Sequence, residues 1–379
     1  MKDTKKKKVI VGLSGGVDSS VAVKLLLDEG YDVEGMFMRN WDSFLNNDIL
    51  GNPNDITDIC PQEKDYNDAV EVASSLGIKL HRVDFVKEYW DNVFTYFLNE
   101  YKKGRTPNPD VMCNKYIKFD YFKKKAMELG ADYIAMGHFA ITKVIDGTTH
   151  LFKGKDLNKD QTYFLAMTPR DKLDNALFPI GNLTKDEVRS IAKSLNLVTA
   201  NKKDSTGICF IGERHFTEFL SNYLPAKEGN IVSTTGKVLG KHYGLMNYTI
   251  GQRKGIGIGG LNDEEKFPWF VVGKDLDKNL LIVGQGKENE LLYSDECIIE
   301  DINLINPLKS NDLLAKFRYR SQDVKIHIEF IDGGTARVTY DHVKSVTPGQ
   351  ILVLYDETSE CFGGGIIKEV YYKGKRRNY

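Results

Sequence analysis

Apolar positions in the first 140 residues form two kinds of run that alternate along the chain. Short, nearly continuous runs occupy residues 8–13, 33–38, 79–85 and 132–137. Their length and β-branched content predict buried strands. Between them stand longer stretches, each closed by a glycine: 19–29 before Gly30, 62–76 before Gly77, 87–103 before Gly104 and 115–129 before Gly130. These predict helices, because glycine takes the left-handed position past a helix end at little steric cost. Strand–helix alternation of this kind predicts an α/β unit with a parallel, doubly wound sheet and helices on both faces. Ligands of such sheets sit at the carboxyl ends of the strands. Residues 40–61 are polar and rich in breakers, which predicts a long loop.

The pattern then changes. Thr184-Lys185-Asp186-Glu187 has the spacing of a capping box and predicts a helix running to about residue 195. Beyond about residue 215 glycines multiply, and short β-rich runs take over at 231–232, 270–272, 280–283, 325–331, 336–340 and 351–355. Asp332-Gly333-Gly334 predicts a hairpin turn. The expected organisation is an α/β domain over residues 1–215, a small β-rich central domain over 216–285, and a C-terminal antiparallel barrel or sandwich over 286–379. The lysine-rich start and the basic tail at residues 373–377 are expected to be mobile.

Composition narrows the function class. The chain has 379 residues, 28% of them charged, with a formal net charge of -1. That excludes a protein coated in positive charge but leaves room for a local basic face that binds nucleic acid. No apolar run approaches the roughly 20 residues that span a bilayer, so no membrane partner is expected. The apolar run at residues 9–13 is too short for a signal-peptide core, and a cytoplasmic location is expected. Five cysteines are scattered without a CxxC pair, which fits neither a disulfide framework nor a zinc site.

Ser14-Gly15-Gly16-Val17-Asp18-Ser19-Ser20 follows a strand and opens a helix. Glycines admit an anion to the backbone, and unpaired amides at the helix start favour phosphate. No lysine follows the glycines, so this is neither the GxxxxGK[ST] loop nor GxGxxG. Further on, Thr106-Pro107-Asn108-Pro109-Asp110-Val111-Met112-Cys113 predicts a stiff approach to a helix beginning near Asp110. Cys113 in a first turn would have a lowered pKa. The plainer alternative makes Asp110 an N-cap and Cys113 a packed core residue. Cys209 stands in an apolar run, which by itself favours a core role, with Gly207 and Gly212 on either side suggesting a mobile loop.

Taken in order, SGGVDSS, Gly35–Trp41, TPNPDVMCNKYIKF, Met136-Gly137-His138, Lys159–Leu165, STGICFIGER and Thr347-Pro348-Gly349-Gln350 resemble the bacterial tRNA-specific 2-thiouridylase (MnmA) family over nearly the whole chain. The resemblance implies a pyrophosphatase-loop ATPase domain, a small central domain and a C-terminal β-barrel. It implies ATP with Mg2+, and a tRNA substrate (the tRNAs for lysine, glutamate and glutamine) thiolated at C2 of the wobble uridine. A cysteine desulfurase or sulfur-relay protein would be the persulfide donor. By position, Gly12, Leu13, Ser14, Gly15, Gly16, Val17, Asp18, Ser19, Met38 and Gly137 match ATP contacts. Asp18 is in addition a candidate for Mg2+ through water or phosphate, with no protein metal site expected. Asn108, Pro109 and Asp110 match the strip that meets the target base, with Asp110 also the acid–base residue. Cys209 matches the persulfide carrier and Cys113 its partner, the two ending as a disulfide. His138, Lys159, Asp160, Gln161, Arg318, Tyr319 and Gln350 match tRNA contacts. Two other readings compete. A ligase of the argininosuccinate- or NAD-synthetase type accounts for the loop but not the cysteines. A non-enzymatic, ATP-gated tRNA-binding protein would leave both cysteines as packing.

Overall fold

The structure, a computed structural model, describes residues 6–43, 45–48, 61–204, 216–258 and 267–378. The first domain is built on strands β1 (Lys8–Gly12), β2 (Asp32–Arg39), β3 (Leu80–Asp84), β4 (Tyr133–Ala135), β5 (Ala140–Ile145), β6 (Thr148–Lys153) and β7 (Ala176–Leu177). Five of these form a parallel sheet in the order β3-β2-β1-β4-β7. Side chains alternate between its faces, as a period of two requires. Ile10, Met36, Met38, Ile134 and Met136 enter one core, together with Val93, Phe94 and Ile117 from the helices on that side. Val9, Val11, Val33, Phe37 and Ala135 enter the other, against Val21, Ala69 and Val188. Burial on both faces explains why the strands read as unbroken apolar runs.

The helix expected at 115–129 merges with the one expected near Asp110. Pro109–Met112, Cys113–Tyr121 and Phe122–Glu128 follow one another without a break, and hydrogen bonding widens to the i→i+5 pattern from Cys113. Such widening is concentrated at functional positions. The predicted helix at 87–103 likewise carries a π-type stretch, Trp90–Phe94, between Val86–Tyr89 and Thr95–Lys102.

The central domain is a four-stranded sheet of β8 (Glu228–Ser233), β9 (Val238–Tyr243), β10 (Trp269–Asp275) and β11 (Leu280–Gln285), ordered β10-β11-β8-β9. The C-terminal domain comprises β12 (Tyr293–Leu304), β13 (Asp312–Lys316), β14 (Val324–Phe330), β15 (Thr335–Lys344), β16 (Ile351–Tyr355), β17 (Glu360–Tyr372) and β18 (Lys375–Arg376). The run β12-β15-β14-β13-β16-β17 closes through β12–β17 pairing, so the domain is a six-stranded barrel and not a sandwich. The predicted hairpin turn joins β14 to β15, with the Asp332 carboxylate accepting from the amides of Gly334 and Thr335.

Two features depart from the expectations. The β5–β6 hairpin leaves the first domain and pairs with β17, extending the barrel sheet outward. The basic tail is held in place and not loose: Lys375–Arg376 pairs back on β17, and the Arg377 guanidinium donates to the carbonyls of Tyr293 and Glu290. Its backbone completes an edge ladder, which sequence charge does not reveal. The first five residues lie outside the described ones, and so does most of the predicted 40–61 loop. Among the described residues no helix is long and apolar enough to cross a membrane.

Candidate functional site

The Ser14–Ser20 loop sits where β1 ends and the Val17–Asp28 helix begins. Gly15 takes a φ of 71°. A Cβ built on it would lie 2.1 Å from the Asp65 carbonyl oxygen, so this position excludes any side chain. Ser19 folds inward: its hydroxyl accepts from the Ser14 amide at 3.2 Å and donates to the Gly16 carbonyl at 3.1 Å. The Ser20 hydroxyl donates to the same carbonyl at 2.8 Å. Among the described residues nothing engages the amides of Gly15, Gly16, Val17 and Asp18. Together with the helix dipole they make an anion cradle. Gly137 packs on this turn so closely that a Cβ would lie 2.7 Å from the Ser19 nitrogen. The Met136 sulfur and Met38 methyl close on Gly12, at the end of β1.

Two lysines outside the Ser14–Ser20 motif reach the loop. Lys185 opens the helix capped by Thr184, and its ammonium donates to both Asp18 oxygens at 2.7 and 2.8 Å and pairs with Asp204 at 2.8 Å. Burial raises the Asp18 carboxyl above its ordinary range, and Lys185 opposes that rise. Asp204 also takes Lys159 and Arg189, each at 2.7 Å. Burial works against its charge, but the hydrogen bonds from Lys159 and Lys185 hold its carboxyl down at about 2. Lys202 donates to the Gly15 carbonyl at 2.8 Å and pairs with Asp65 at 2.7 Å. The capping box marked the Lys185 helix in the sequence; nothing local marked Lys202.

Asn108, not Asp110, caps the cysteine helix: its side chain accepts from the Val111 amide at 3.3 Å, and Pro109 fills the first helical position. Cys113 therefore stands two residues further in than an Asp110 cap would place it, past the first turn, and is fully buried, within the cluster that also holds Met38, Met112 and Met136. Asn114 donates to the Asp110 carbonyl at 3.0 Å. Cys209 and Cys60 lie outside the described residues. Cys297 and Cys361 are buried barrel residues, burial pushing both thiols up, that of Cys361 to about 12. Such thiols are inert.

The residues matched to tRNA contacts take varied positions. His138 is 7% exposed between Phe119 and Phe178, and burial with nearby Lys118 holds its ring well below the ordinary histidine range. Asp160 is 3% exposed and accepts from the Gly154 amide and the Thr162 hydroxyl. Gln161 accepts from the Phe139 amide, and Lys159 holds Asp204. Arg318 donates to the carbonyls of Ile250 and Ser345, while Tyr319 lies against Phe164 with ring centres 4.3 Å apart. The Gln350 amide donates to the carbonyls of Thr106 and Pro107 at 2.8 and 3.3 Å.

Residues 7–213 match the family described as tRNA methyl transferase HUP domain, 217–285 the tRNA methyl transferase PRC-barrel domain, and 294–367 the aminomethyltransferase beta-barrel domain. The tRNA-specific 2-thiouridylase MnmA of Acholeplasma laidlawii is 55% identical over 99% of this chain and 100% of its own length. That of Mycoplasma capricolum subsp. capricolum is 55% identical over 96% of this chain and 99% of its own. That of Bacillus thuringiensis is 51% identical over 98% and 97%. With identity at this level along its whole length, across all three domains, the chain belongs to the tRNA-specific 2-thiouridylase family and is a tRNA sulfurtransferase.

Proposed function

We propose that the enzyme uses ATP to adenylate the C2 oxygen of the wobble uridine in the tRNAs for lysine, glutamate and glutamine, and then replaces that oxygen with sulfur. The observation that carries this reading is the cradle of unengaged amides from Gly15 to Asp18 at the carboxyl end of β1. It suits a polyphosphate, and the lysine of a phosphoryl-transfer loop is missing from it. Adenylation turns a poor leaving oxygen into AMP, with pyrophosphate released. Mg2+ would arrive with the nucleotide, held by the phosphates, with Asp18, whose two oxygens already accept from Lys185, reaching it through water or phosphate, and would offset phosphate charge.

In this reading Cys209 carries the transferable sulfur as a persulfide, delivered by a cysteine desulfurase or a relay protein. The outer sulfur attacks C2 and AMP departs with the former O2; the Cys113 thiolate then attacks the Cys209 sulfur, the S–S bond to the base breaks, and 2-thiouridine leaves with a Cys113–Cys209 disulfide behind it. Alternatively, Cys113 attacks the inner sulfur first and forms that disulfide, and the released hydrosulfide attacks C2 and displaces AMP; in either case the disulfide is reduced later. Asp110 moves the proton, and Asn108, Pro109 and Asp110 face the base. An anticodon base already lies in a loop, so drawing it into the pocket is inexpensive. The buried setting of Cys113, in the core cluster that also holds the methionines touching Gly12, supports a water-poor site.

The test is a pair of variants. Cys113→Ala and Cys209→Ala should each abolish 2-thiouridine formation and leave tRNA affinity within about threefold, since neither removes a phosphate contact. Full activity in either variant overturns the two-cysteine chemistry.

A further inference from the structure

A backbone N–H can be offered to a phosphate only if the carbonyl of the same peptide turns the other way, because the two point in opposite directions on a planar trans unit. The cradle amides of Gly16 and Val17 therefore depend on what holds the oxygens of Gly15 and Gly16. The Gly16 carbonyl is held from within the loop, by the Ser19 and Ser20 hydroxyls. The Gly15 carbonyl is held by the Lys202 ammonium, 187 residues along the chain, at 2.8 Å. Glycines stand on both sides of the Gly15–Gly16 peptide, and they resist its rotation least. Flipped, that peptide would show an oxygen to the phosphate in place of the Gly16 N–H.

An ammonium has three N–H groups, and that of Lys202 has three partners: the Gly15 carbonyl, Asp65 at 2.7 Å and Asp68. The two acids stand one turn apart on the helix Pro61–Ser75 and so share a face. Burial works against the Lys202 charge, but the hydrogen bonds to both acids outweigh it and raise the pKa. The backbone that presents this lysine is fixed as well. Its amide donates to the Thr199 carbonyl at 3.0 Å, and its carbonyl accepts from the Arg189 guanidinium at 3.0 Å. The buried Thr199 hydroxyl donates to that of Ser20 at 3.1 Å. Asp204 takes Arg189 and, through Lys185, reaches Asp18. The strip from Thr199 to Asp204 is thus tied to the loop at Gly15, Asp18 and Ser20.

We propose that Lys202 is a positioning residue of the ATP site: it holds the Gly15 carbonyl so that the Gly16 N–H of the same peptide is aimed at the polyphosphate. Its effect on the nucleotide passes through that peptide. Asp65 and Asp68 contribute by keeping the ammonium over the carbonyl. The loop, whose own glycines are followed by no lysine, is in this way shaped by one from a distant strip. The proposal rests on the reading of Gly15–Asp18 as the cradle for ATP.

The experiment titrates the full-length enzyme with Mg-ATP by calorimetry. Affinity for an unmodified tRNA transcript whose anticodon begins with uridine is read separately by filter binding. Lys202→Met should raise the Kd for ATP about tenfold or more, the scale of one lost hydrogen bond to a charged group. Its Kd for the transcript should stay within about twofold of the parent. Lys202→Arg keeps the charge and N–H donors and should recover most of the loss. Asp65→Asn combined with Asp68→Asn retains the lysine but loosens its hold, and should also weaken ATP binding. Charge alone predicts the opposite, since two carboxylates near a polyphosphate repel it. Tighter ATP binding in this double variant would therefore overturn the proposal. Parent-like ATP affinity in Lys202→Met would overturn it too, and so would an equal loss of ATP and transcript affinity, which would mark the lysine as holding the domain together and no more. Gly15→Ala in the same titration bears on the cradle alone: undiminished ATP affinity there would sink that reading whatever Lys202 does.

Discussion

Lys274 offers a quantitative check on how the central domain grips the catalytic one. Its side chain is buried at 5% exposure, and its ammonium donates to the Gly104 carbonyl. Burial lowers its pKa from 10.5 to about 8. Because the folded value lies below the unfolded one, the folded protein binds fewer protons between these limits, and stability rises with pH across that window. Below about pH 8 the full penalty applies, roughly 3 kcal/mol at neutral pH by linkage. At about pH 9.5 the unfolded chain still holds most of its proton and the folded one little, leaving about 1 kcal/mol. Lys274→Met removes the titration and strands one carbonyl, at a cost of about 1–3 kcal/mol. The two proteins should therefore be comparably stable near neutrality, and wild type should gain about 2 kcal/mol on the variant by pH 9.5. Urea unfolding followed by circular dichroism at the two pH values measures the difference. A wild-type-minus-variant gap that does not move with pH would show that this lysine is solvated and that the argument from its burial is wrong.

Gly15→Ala should abolish measurable ATP binding by calorimetry and lower thermal stability, because φ is positive and a Cβ would strike the Asp65 carbonyl; wild-type ATP affinity in this variant would contradict the cradle geometry. His138 is neutral in the folded state, with its pKa depressed well below 6.5. Its contribution is thus intact above that value and lost as pH falls through the lower folded pKa. His138→Phe should blunt the loss of melting temperature between neutral pH and pH 5, and unchanged acid sensitivity would place the ring in solvent. Transcript affinity should fall steeply with salt as phosphate contacts release counterions; a flat response from low to moderate salt would exclude a basic RNA-binding face despite the formal charge of -1.

Much of the site was legible because its signals are local. A glycine run between a strand and a helix makes an anion cradle whatever surrounds it, and Thr184–Glu187 closes its capping box from its own four residues. The cysteine helix was harder. Asn108 and Asp110 are both good caps by residue type, and only the geometry assigns the role to Asn108, five residues before Cys113. The tRNA-matched positions were the least transparent. The resemblance matches a histidine, an aspartate and a glutamine to RNA contacts, whereas His138 and Asp160 are enclosed and the Gln350 amide nitrogen donates to the Thr106 and Pro107 carbonyls.

The amino-acid order alone determined the buried apolar runs of the parallel strands, the phosphate-ready loop and, through its motifs, the family. These depend on residues within a few positions of one another. Only the tertiary structure decided that β5–β6 leaves its own domain to pair with β17, that Arg377 of the tail reaches the Tyr293 and Glu290 carbonyls, that Lys185 and Lys202 converge on the loop, and that Gln350 holds Thr106. Each joins groups far apart in sequence, and such contacts arise from satisfying buried polar groups once the domains have closed on one another.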